Sequence, residues 1–101
     1  MKKIILLCAG GMSTSILARK MKKAGDAMHY EVDVRAHMIE DACKVGKDAD
    51  VVFIGPQIRY LCNKVKEKMP NKIVEVIDMK DYGAMDGEKV LRRAKELIET
   101  H

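Results

Sequence analysis

The order of apolar and polar residues along the chain predicts four β-strands. Residues 4–7 and 51–54 are apolar without interruption, as is typical of strands covered on both faces of a parallel sheet. Residues 30–36 alternate between apolar and polar, which indicates an edge strand with one face in water. Residues 73–77 follow the turn after Pro70 and predict the fourth strand.

Helical periodicity appears between these strands. Apolar residues that recur at helical spacing predict helices at residues 13–24, 39–45 and 58–69, and from about residue 87 onward. Gly25 is suited to end the first of these helices, and Pro70 closes the third. Residues 78–87 predict a loop with at most one helical turn.

Strands that alternate with helices indicate an α/β fold, in which a parallel sheet carries helices on both faces. We expect residues 1–101 to form one domain with a four-stranded sheet in the order 2-1-3-4. In such sheets, ligands bind beyond the carboxyl ends of the strands where the connections change sides, here between the first and third strands. Cys8 and the Gly55-Pro56-Gln57 turn both face that crevice.

The clearest chemical signal is the segment that joins the first strand to the first helix, Cys8-Ala9-Gly10-Gly11-Met12-Ser13-Thr14-Ser15. Backbone amides at a helix N-terminus lack helical partners and lie at the positive end of the helix dipole. Glycines let the backbone approach a ligand closely. A loop of this kind suits a dianionic phosphate, and the candidate phosphate-binding residues are Ala9, Gly10, Gly11, Met12, Ser13, Thr14 and Ser15.

Cys8 precedes this loop and is the candidate nucleophile. A thiol beside a helix N-terminus is favoured as the thiolate, which can attack phosphorus and form a phosphocysteine. The competing interpretation is a buried cysteine that ends a strand. The hydroxyl groups of residues 13–15 could cap the helix or bind phosphate oxygens, and both roles stay open. Gln57 and Tyr82 are further candidates, on the rim of the site and facing a partner.

Composition and charge limit the classes of function. With 48% hydrophobic and 34% charged residues, the chain is globular, and no apolar run approaches the about 20 residues of a membrane span. No signal-peptide pattern precedes the first strand, so we expect a cytoplasmic protein. A net charge of +4 with only 4% aromatic residues argues against nucleic-acid binding.

The three cysteines form no C-x-x-C pair and have no histidine at ligand spacing. This pattern argues against a disulfide framework and against a metal site. Cys43 and Cys62 are expected to be small buried hydrophobic residues. His37, at the end of the second strand, is expected to be an ordinary, partly exposed histidine, although it could approach the crevice.

Three motifs together carry a family resemblance. The first is the opening strand with residues 8–15. The others are Ala49-Asp50-Val51-Val52 with Gly55-Pro56-Gln57-Ile58-Arg59-Tyr60, and Val76-Ile77-Asp78 with Tyr82-Gly83-Ala84-Met85-Asp86-Gly87. Over nearly its whole length the chain resembles the soluble enzyme IIB component, lactose/cellobiose type, of the bacterial phosphoenolpyruvate-dependent sugar phosphotransferase system.

This resemblance implies a phosphocarrier. A phosphohistidine on enzyme IIA would donate its phosphoryl group to Cys8, and the phosphocysteine would pass it to a sugar bound by the membrane component, enzyme IIC. The chain would associate transiently with that transporter without being inserted in the membrane. No cofactor is implied, and the chain contains no G-x-x-x-x-G-K-[ST] nucleotide loop. The sugar and the oligomeric state stay open.

Two other classes of function compete with this one. Cysteine-dependent low-molecular-weight tyrosine phosphatases and arsenate reductases share the strand–loop–helix arrangement, and we expect the fold to resemble that of the phosphatases. They use C-x(5)-R, however, and Thr14 stands at the arginine position, so hydrolysis should be slow. A flavodoxin-like binding or signalling module is the non-enzymatic alternative. An acidic acceptor of a signalling module would follow the third strand, where Ile54-Gly55-Pro56 stands instead.

A phosphatase would also need a general acid. Asp78, Asp81 and Asp86 lie in the loop after the fourth strand and are the candidates for that role. Loop solvation or helix capping is the favoured role for each of them.

Overall fold

The chain alternates strands with helices, and the computed structural model describes residues 1–10 and 12–100. The strands are β1 (Lys2–Cys8), β2 (Val32–Met38), β3 (Val51–Ile54) and β4 (Ile73–Val76). The α-helices are α1 (Ser13–Ala27), α2 (Ala42–Val45), α3 (Cys62–Lys68), α4 (Met79–Gly83) and α5 (Gly87–Thr100). Two 3₁₀ helices, Ile39–Asp41 and Pro56–Leu61, lead into α2 and α3.

The four strands form one parallel sheet in the order β2-β1-β3-β4, which confirms the predicted topology. β1 is central and pairs with β2 along its whole length, ending with Cys8 opposite Met38. Its other edge pairs with β3, ending with Leu7 opposite Ile54. The two uninterrupted apolar runs therefore lie in the centre of the sheet, where both faces are covered.

Each face of the sheet carries its own hydrophobic core. On one face, β1 contributes Ile4 and Leu6, which pack with residues of α1 and α5. On the other, β1 contributes Ile5 and Leu7, which pack with residues of α2 and α3. Successive side chains of a strand point to opposite faces, so an apolar run without alternation serves both cores.

The first helix is longer than predicted, because Gly25 lies inside α1 instead of ending it. A Cβ at this position would lie 2.8 Å from Val32 Cγ2 and 2.9 Å from the Tyr30 carbonyl oxygen. Glycine therefore lets α1 approach β2 closely. The Tyr30 amide donates to the Gly25 carbonyl at 2.8 Å, so the chain joins the sheet only from Val32, two residues later than predicted.

Two further segments differ from the predicted elements. The periodic segment after β3 begins as a 3₁₀ helix with a kink at Ile58, where φ is −118° and ψ is 28°, and becomes α-helical at Cys62. The segment after β4 contains α4, whose first residues are held by the Asp78 side chain. A short capped helix without a long apolar repeat gives little periodic signal in the sequence.

Replacing Gly25 with alanine should lower the free energy of unfolding by about 1–3 kcal/mol, because the added methyl group would overlap Val32 and the Tyr30 backbone. Urea unfolding measures this change. Gly83→Ala is the matched control, since a Cβ there would meet no atom within 4 Å, and it should change stability by less than about 0.5 kcal/mol. Equal losses in the two variants would contradict the close packing of α1 on β2.

Candidate functional site

Cys8 is the last residue of the central strand, so it lies at the carboxyl edge of the sheet with a strand on either side. The amide of Gly55 donates to the carbonyl of Leu7 at 2.9 Å, which holds the turn after β3 beside the end of β1. Gln57 follows in that turn, and its side chain is exposed. The crevice predicted between the first and third strands is therefore the place where Cys8 and the turn meet.

The Cys8 thiol is half-buried and donates a hydrogen bond to the carbonyl oxygen of His37, with sulfur and oxygen 3.7 Å apart. The alternation along β1 that turns Ile4 and Leu6 toward α1 turns Cys8 to the same side. The sulfur thus lies beside the end of β2, on the face of the sheet that α1 covers, and the residue is partly exposed.

The loop after Cys8 requires glycine at residue 10. Gly10 has φ of +136°, in a region that other residues enter only with strain, and a Cβ there would lie 3.7 Å from the Met38 methyl group. Ala9 and the Met12 side chain are exposed. Gly11, also predicted to bind phosphate, lies outside the described residues.

The first turn of α1 presents amides toward this loop. The first hydrogen bond of the helix runs from the Ile16 amide to the Met12 carbonyl at 3.0 Å. The amides of residues 13–15 precede that bond, at the positive end of the helix dipole. Met12 occupies the N-cap position and its side chain makes no capping hydrogen bond, so none of the three hydroxyl groups is the N-cap. Ser13 and Ser15 are exposed.

Thr14 differs from its neighbours, because its side chain is 1% exposed and points into the core. Its Oγ1 is hydrogen-bonded to the Tyr82 hydroxyl at 3.3 Å. The placement of Tyr82 on the rim is wrong: the residue is 8% exposed and packs with the α1/α5 core. A ring that is buried in the core is not available for contact with a partner protein.

Two of the three aspartates after β4 start helices, and Asp81 lies inside α4. Asp78 Oδ1 accepts from the amides of Lys80 and Asp81, at 2.9 and 3.1 Å, and begins α4. Asp86 Oδ1 accepts from the Lys89 amide at 3.1 Å at the beginning of α5. These bonds confirm the capping role for Asp78 and Asp86.

Several large apolar side chains are exposed in or after the ends of the strands, a feature that the predicted elements do not show. The large hydrophobic residues with at least about a third of their surface exposed are Met1, Met12, Ile16, Met38, Tyr60 and Met79. All except Met1 lie in the loop or helix that follows a strand, or at the carboxyl end of β2. We call these five residues the apolar rim. Periodicity does not predict their exposure, because it identifies the apolar residues that helices and strands bury.

The remaining cysteines and His37 take ordinary roles. Cys62 is buried in the core under α3, as predicted, whereas Cys43 is exposed on α2, so its predicted burial is wrong. Helix α2 has only four residues, and Ala42 is the one that it buries. His37 is half-buried on β2, and only its backbone carbonyl contacts Cys8.

Residues 1–10 and 12–100 contain no group of three or more His, Cys, Asp or Glu side chains placed to hold a metal ion. In the same part of the chain, no helix has the length and apolar character needed to cross a membrane.

The parallel sheet, with a cysteine-led loop joining β1 to α1, defines an α/β domain with a candidate phosphate-binding site. A family model for the PTS system, lactose/cellobiose-specific IIB subunit, matches residues 3–93. The chain therefore belongs to the lactose/cellobiose IIB family and is a IIB component of a sugar phosphotransferase system. It is 40% identical to the oligo-beta-mannoside-specific EIIB component of Bacillus subtilis (strain 168) over 100 residues, which cover 97% of both chains.

Solved structures share this fold. The solution structure of a cellobiose-specific phosphotransferase IIB component from Borrelia burgdorferi has 32% identity and a TM-score of 0.81, covering 98% of this chain and 93% of that one. A lactose-specific IIB domain from Streptococcus pneumoniae has a TM-score of 0.84 at 17% identity, covering 94% and 95%. A low-molecular-weight tyrosine phosphatase from Bacillus subtilis shares the fold, with a TM-score of 0.56, 13% identity and 97% of both chains covered.

Replacing Gly10 with alanine should lower the free energy of unfolding by about 1–3 kcal/mol, because alanine at φ of +136° is strained even though space is available. Thermal or urea unfolding gives the value. Ala9→Ser, at the exposed neighbouring position, should stay within about 0.5 kcal/mol of the wild type. An unchanged Gly10→Ala protein would show that the loop does not need this conformation.

Proposed function

We propose that Cys8 carries a phosphoryl group from enzyme IIA to a sugar held by the membrane enzyme IIC. The thiolate of Cys8 attacks phosphorus on a phosphohistidine, the S–P bond forms, and the P–N bond breaks with its electron pair going to the imidazole nitrogen. A sugar hydroxyl oxygen then attacks the same phosphorus. The S–P bond breaks, the thiolate is regenerated, and the hydroxyl proton passes to a base on the acceptor side.

The observation that carries this proposal is the position of the Cys8 sulfur. It is half-buried at the carboxyl end of the central strand, and the loop that begins after Cys8 leads directly into the first turn of α1. As a thiol it donates a hydrogen bond to the His37 carbonyl, and this bond is broken when the proton leaves before attack. A phosphoryl group on this sulfur would extend toward the amides of residues 13–15.

The phosphoryl group would be held by uncharged donors. We assign the backbone amides of residues 9–15 to this cradle, together with the exposed hydroxyl groups of Ser13 and Ser15. Gly11 belongs to the proposed cradle through its place in the sequence alone. Thr14 contributes its amide only, because its hydroxyl group is bonded to Tyr82.

The absence of a cation from residues 8–15 favours a carrier over a hydrolase. Tyrosine phosphatases of similar fold place an arginine where this chain has Thr14, and a guanidinium stabilises the charge of the transition state for attack by water. Neutral amides bind the phosphoryl group with less of that stabilisation. The phosphocysteine should therefore persist until a protein partner arrives.

The apolar rim suits contact with proteins. Met12, Met38 and Met79 are exposed in or after the ends of the strands, and methionine adapts its shape to different partners. A carrier must bind its donor and its acceptor in turn at one site.

We infer that residues 1–101 act as one cytoplasmic phosphocarrier domain that associates transiently with the membrane transporter. Relatives named for oligo-β-mannoside, cellobiose and lactose share this fold, as expected if the membrane component selects the sugar.

Cys8→Ser should abolish phosphoryl acceptance, since a serine hydroxyl is a far weaker nucleophile than a thiolate. The measurement is intact mass after incubation with phosphorylated enzyme IIA, followed by mapping of the modified residue. Cys43→Ser is the matched control, because Cys43 is the exposed free thiol away from the site. A Cys8→Ser protein that gains the mass of one phosphoryl group as readily as the wild type would refute the assignment.

Turnover of a chromogenic aryl phosphate tests the phosphatase alternative, which the shared fold favours as a second candidate. We expect no catalytic turnover above that of Cys8→Ser, because no guanidinium stabilises attack by water. Release of aryl alcohol can be followed by absorbance over many equivalents of protein. Multiple turnovers that disappear in Cys8→Ser would make hydrolysis the primary activity.

A further inference from the structure

A buried pair of hydroxyl groups lies directly behind the phosphate-binding loop. Thr14 is 1% exposed and Tyr82 is 8% exposed, and their oxygen atoms are 3.3 Å apart. The two residues are 68 positions apart in the sequence. Buried hydroxyl groups cost free energy unless they are hydrogen-bonded, and this contact satisfies both.

The two hydrogen-bonded residues belong to different helices. Thr14 is the second residue of α1, between two residues whose amides belong to the proposed cradle. Tyr82 belongs to α4, where its own amide donates to the carbonyl of Asp78 at 2.9 Å. Asp78 follows Ile77, whose amide donates to the β3 carbonyl of Ile54 at 2.9 Å. The Tyr82 hydroxyl is thereby fixed to the sheet through a short capped helix.

Packing alone does not require these two hydroxyl groups. Valine has nearly the shape of threonine, and phenylalanine that of tyrosine, so an apolar pair would fill the same space without a polar atom to satisfy. What the hydroxyl pair adds is a directional bond between the first turn of α1 and α4. Cys8 is fixed to the same sheet by β1.

We propose that Tyr82 is a positioning residue for phosphoryl transfer. By holding the Thr14 hydroxyl, it orients the first turn of α1 so that the amides of residues 13–15 meet the phosphoryl group on Cys8. This inference rests on the proposed function of Cys8. Misplacement of donors by a fraction of an ångström weakens their bonds to the transferring group, so loss of the Tyr82 hydroxyl should slow transfer about tenfold.

The first test is single-turnover transfer from phosphorylated enzyme IIA to the full chain carrying Tyr82→Phe, with donor concentration varied. The rate at saturating donor should fall about tenfold, while the donor concentration for half-maximal rate should stay within about twofold, since Tyr82 does not face the partner. Partial unfolding would instead reduce the fraction of chains that react. Tyr30→Phe is the matched control, because Tyr30 packs on the same core at the opposite end of β2. It should leave the rate unchanged.

Variants of Thr14 test whether the effect passes through the hydrogen bond. Thr14→Val should slow transfer as much as Tyr82→Phe, and the double variant should be no slower than either, because both changes remove one interaction. Thr14→Ser keeps the hydroxyl group and should restore most of the rate. Additive losses in the double variant, a Tyr82→Phe rate within twofold of the wild type, or an equal loss in Tyr30→Phe would each overturn the proposal.

Amide hydrogen exchange provides a readout that needs no phosphoryl transfer. The Ile16 amide closes the first turn of α1 by bonding to the Met12 carbonyl. Its exchange should be about tenfold faster in Tyr82→Phe, while the Met21 amide in the middle of the helix keeps its rate. Equal acceleration at both amides would indicate general destabilisation and refute local positioning. If wild-type Cys8 accepts no phosphoryl group, the proposed function fails, whereas this exchange experiment still decides the role of Tyr82.

Discussion

Burial of β1 on both faces, with hydrogen-bonded strands on both edges, is the constraint on which the site depends. Ile4 and Leu6 belong to one core and Ile5 and Leu7 to the other, and each is at most 6% exposed. Such a strand cannot shift without breaking two ladders and two cores. Cys8 is its last residue, so the sulfur is fixed at the carboxyl edge with β2 on one side and the turn after β3 on the other.

Rigidity of the sheet and neutrality of the loop together suit a carrier. Residues 8–15 include no charged side chain, so the hydrogen-bond donors available there are backbone amides and hydroxyl groups. The dipole of α1 adds partial positive charge at the same place. Such donors hold a dianion without the strong stabilisation of hydrolysis that a guanidinium gives. We propose that protein partners in contact with the apolar rim decide where the phosphoryl group goes.

Much of this arrangement could be predicted from the sequence, because the signals are local. The apolar runs at residues 4–7 and 51–54 indicated the central strands, and the order 2-1-3-4 followed from the alternation of strands and helices. The loop after Cys8 was recognisable for the same reason: strand, glycines, hydroxyl residues and helix are contiguous in the chain.

The features that could not be predicted depend on contacts between distant residues. Gly25 has the sequence signal of a helix end, yet it serves the close approach of α1 to β2. The residues next to Thr14 and Tyr82 in the sequence do not predict their hydrogen bond, because the two are 68 positions apart. Cys43 is likewise exposed because the four-residue helix α2 buries only Ala42. In each case tertiary packing overrides the local signal.

The most direct test of the central claim is nuclear magnetic resonance of the wild-type chain after phosphorylation by its donor, with phosphorus-31 and amide nitrogen-15 observed on one sample. Our account predicts a phosphorus signal typical of a thiophosphate ester and the largest amide shifts within residues 9–15. A phosphorus signal typical of phosphohistidine, or amide shifts centred away from this loop, would contradict it.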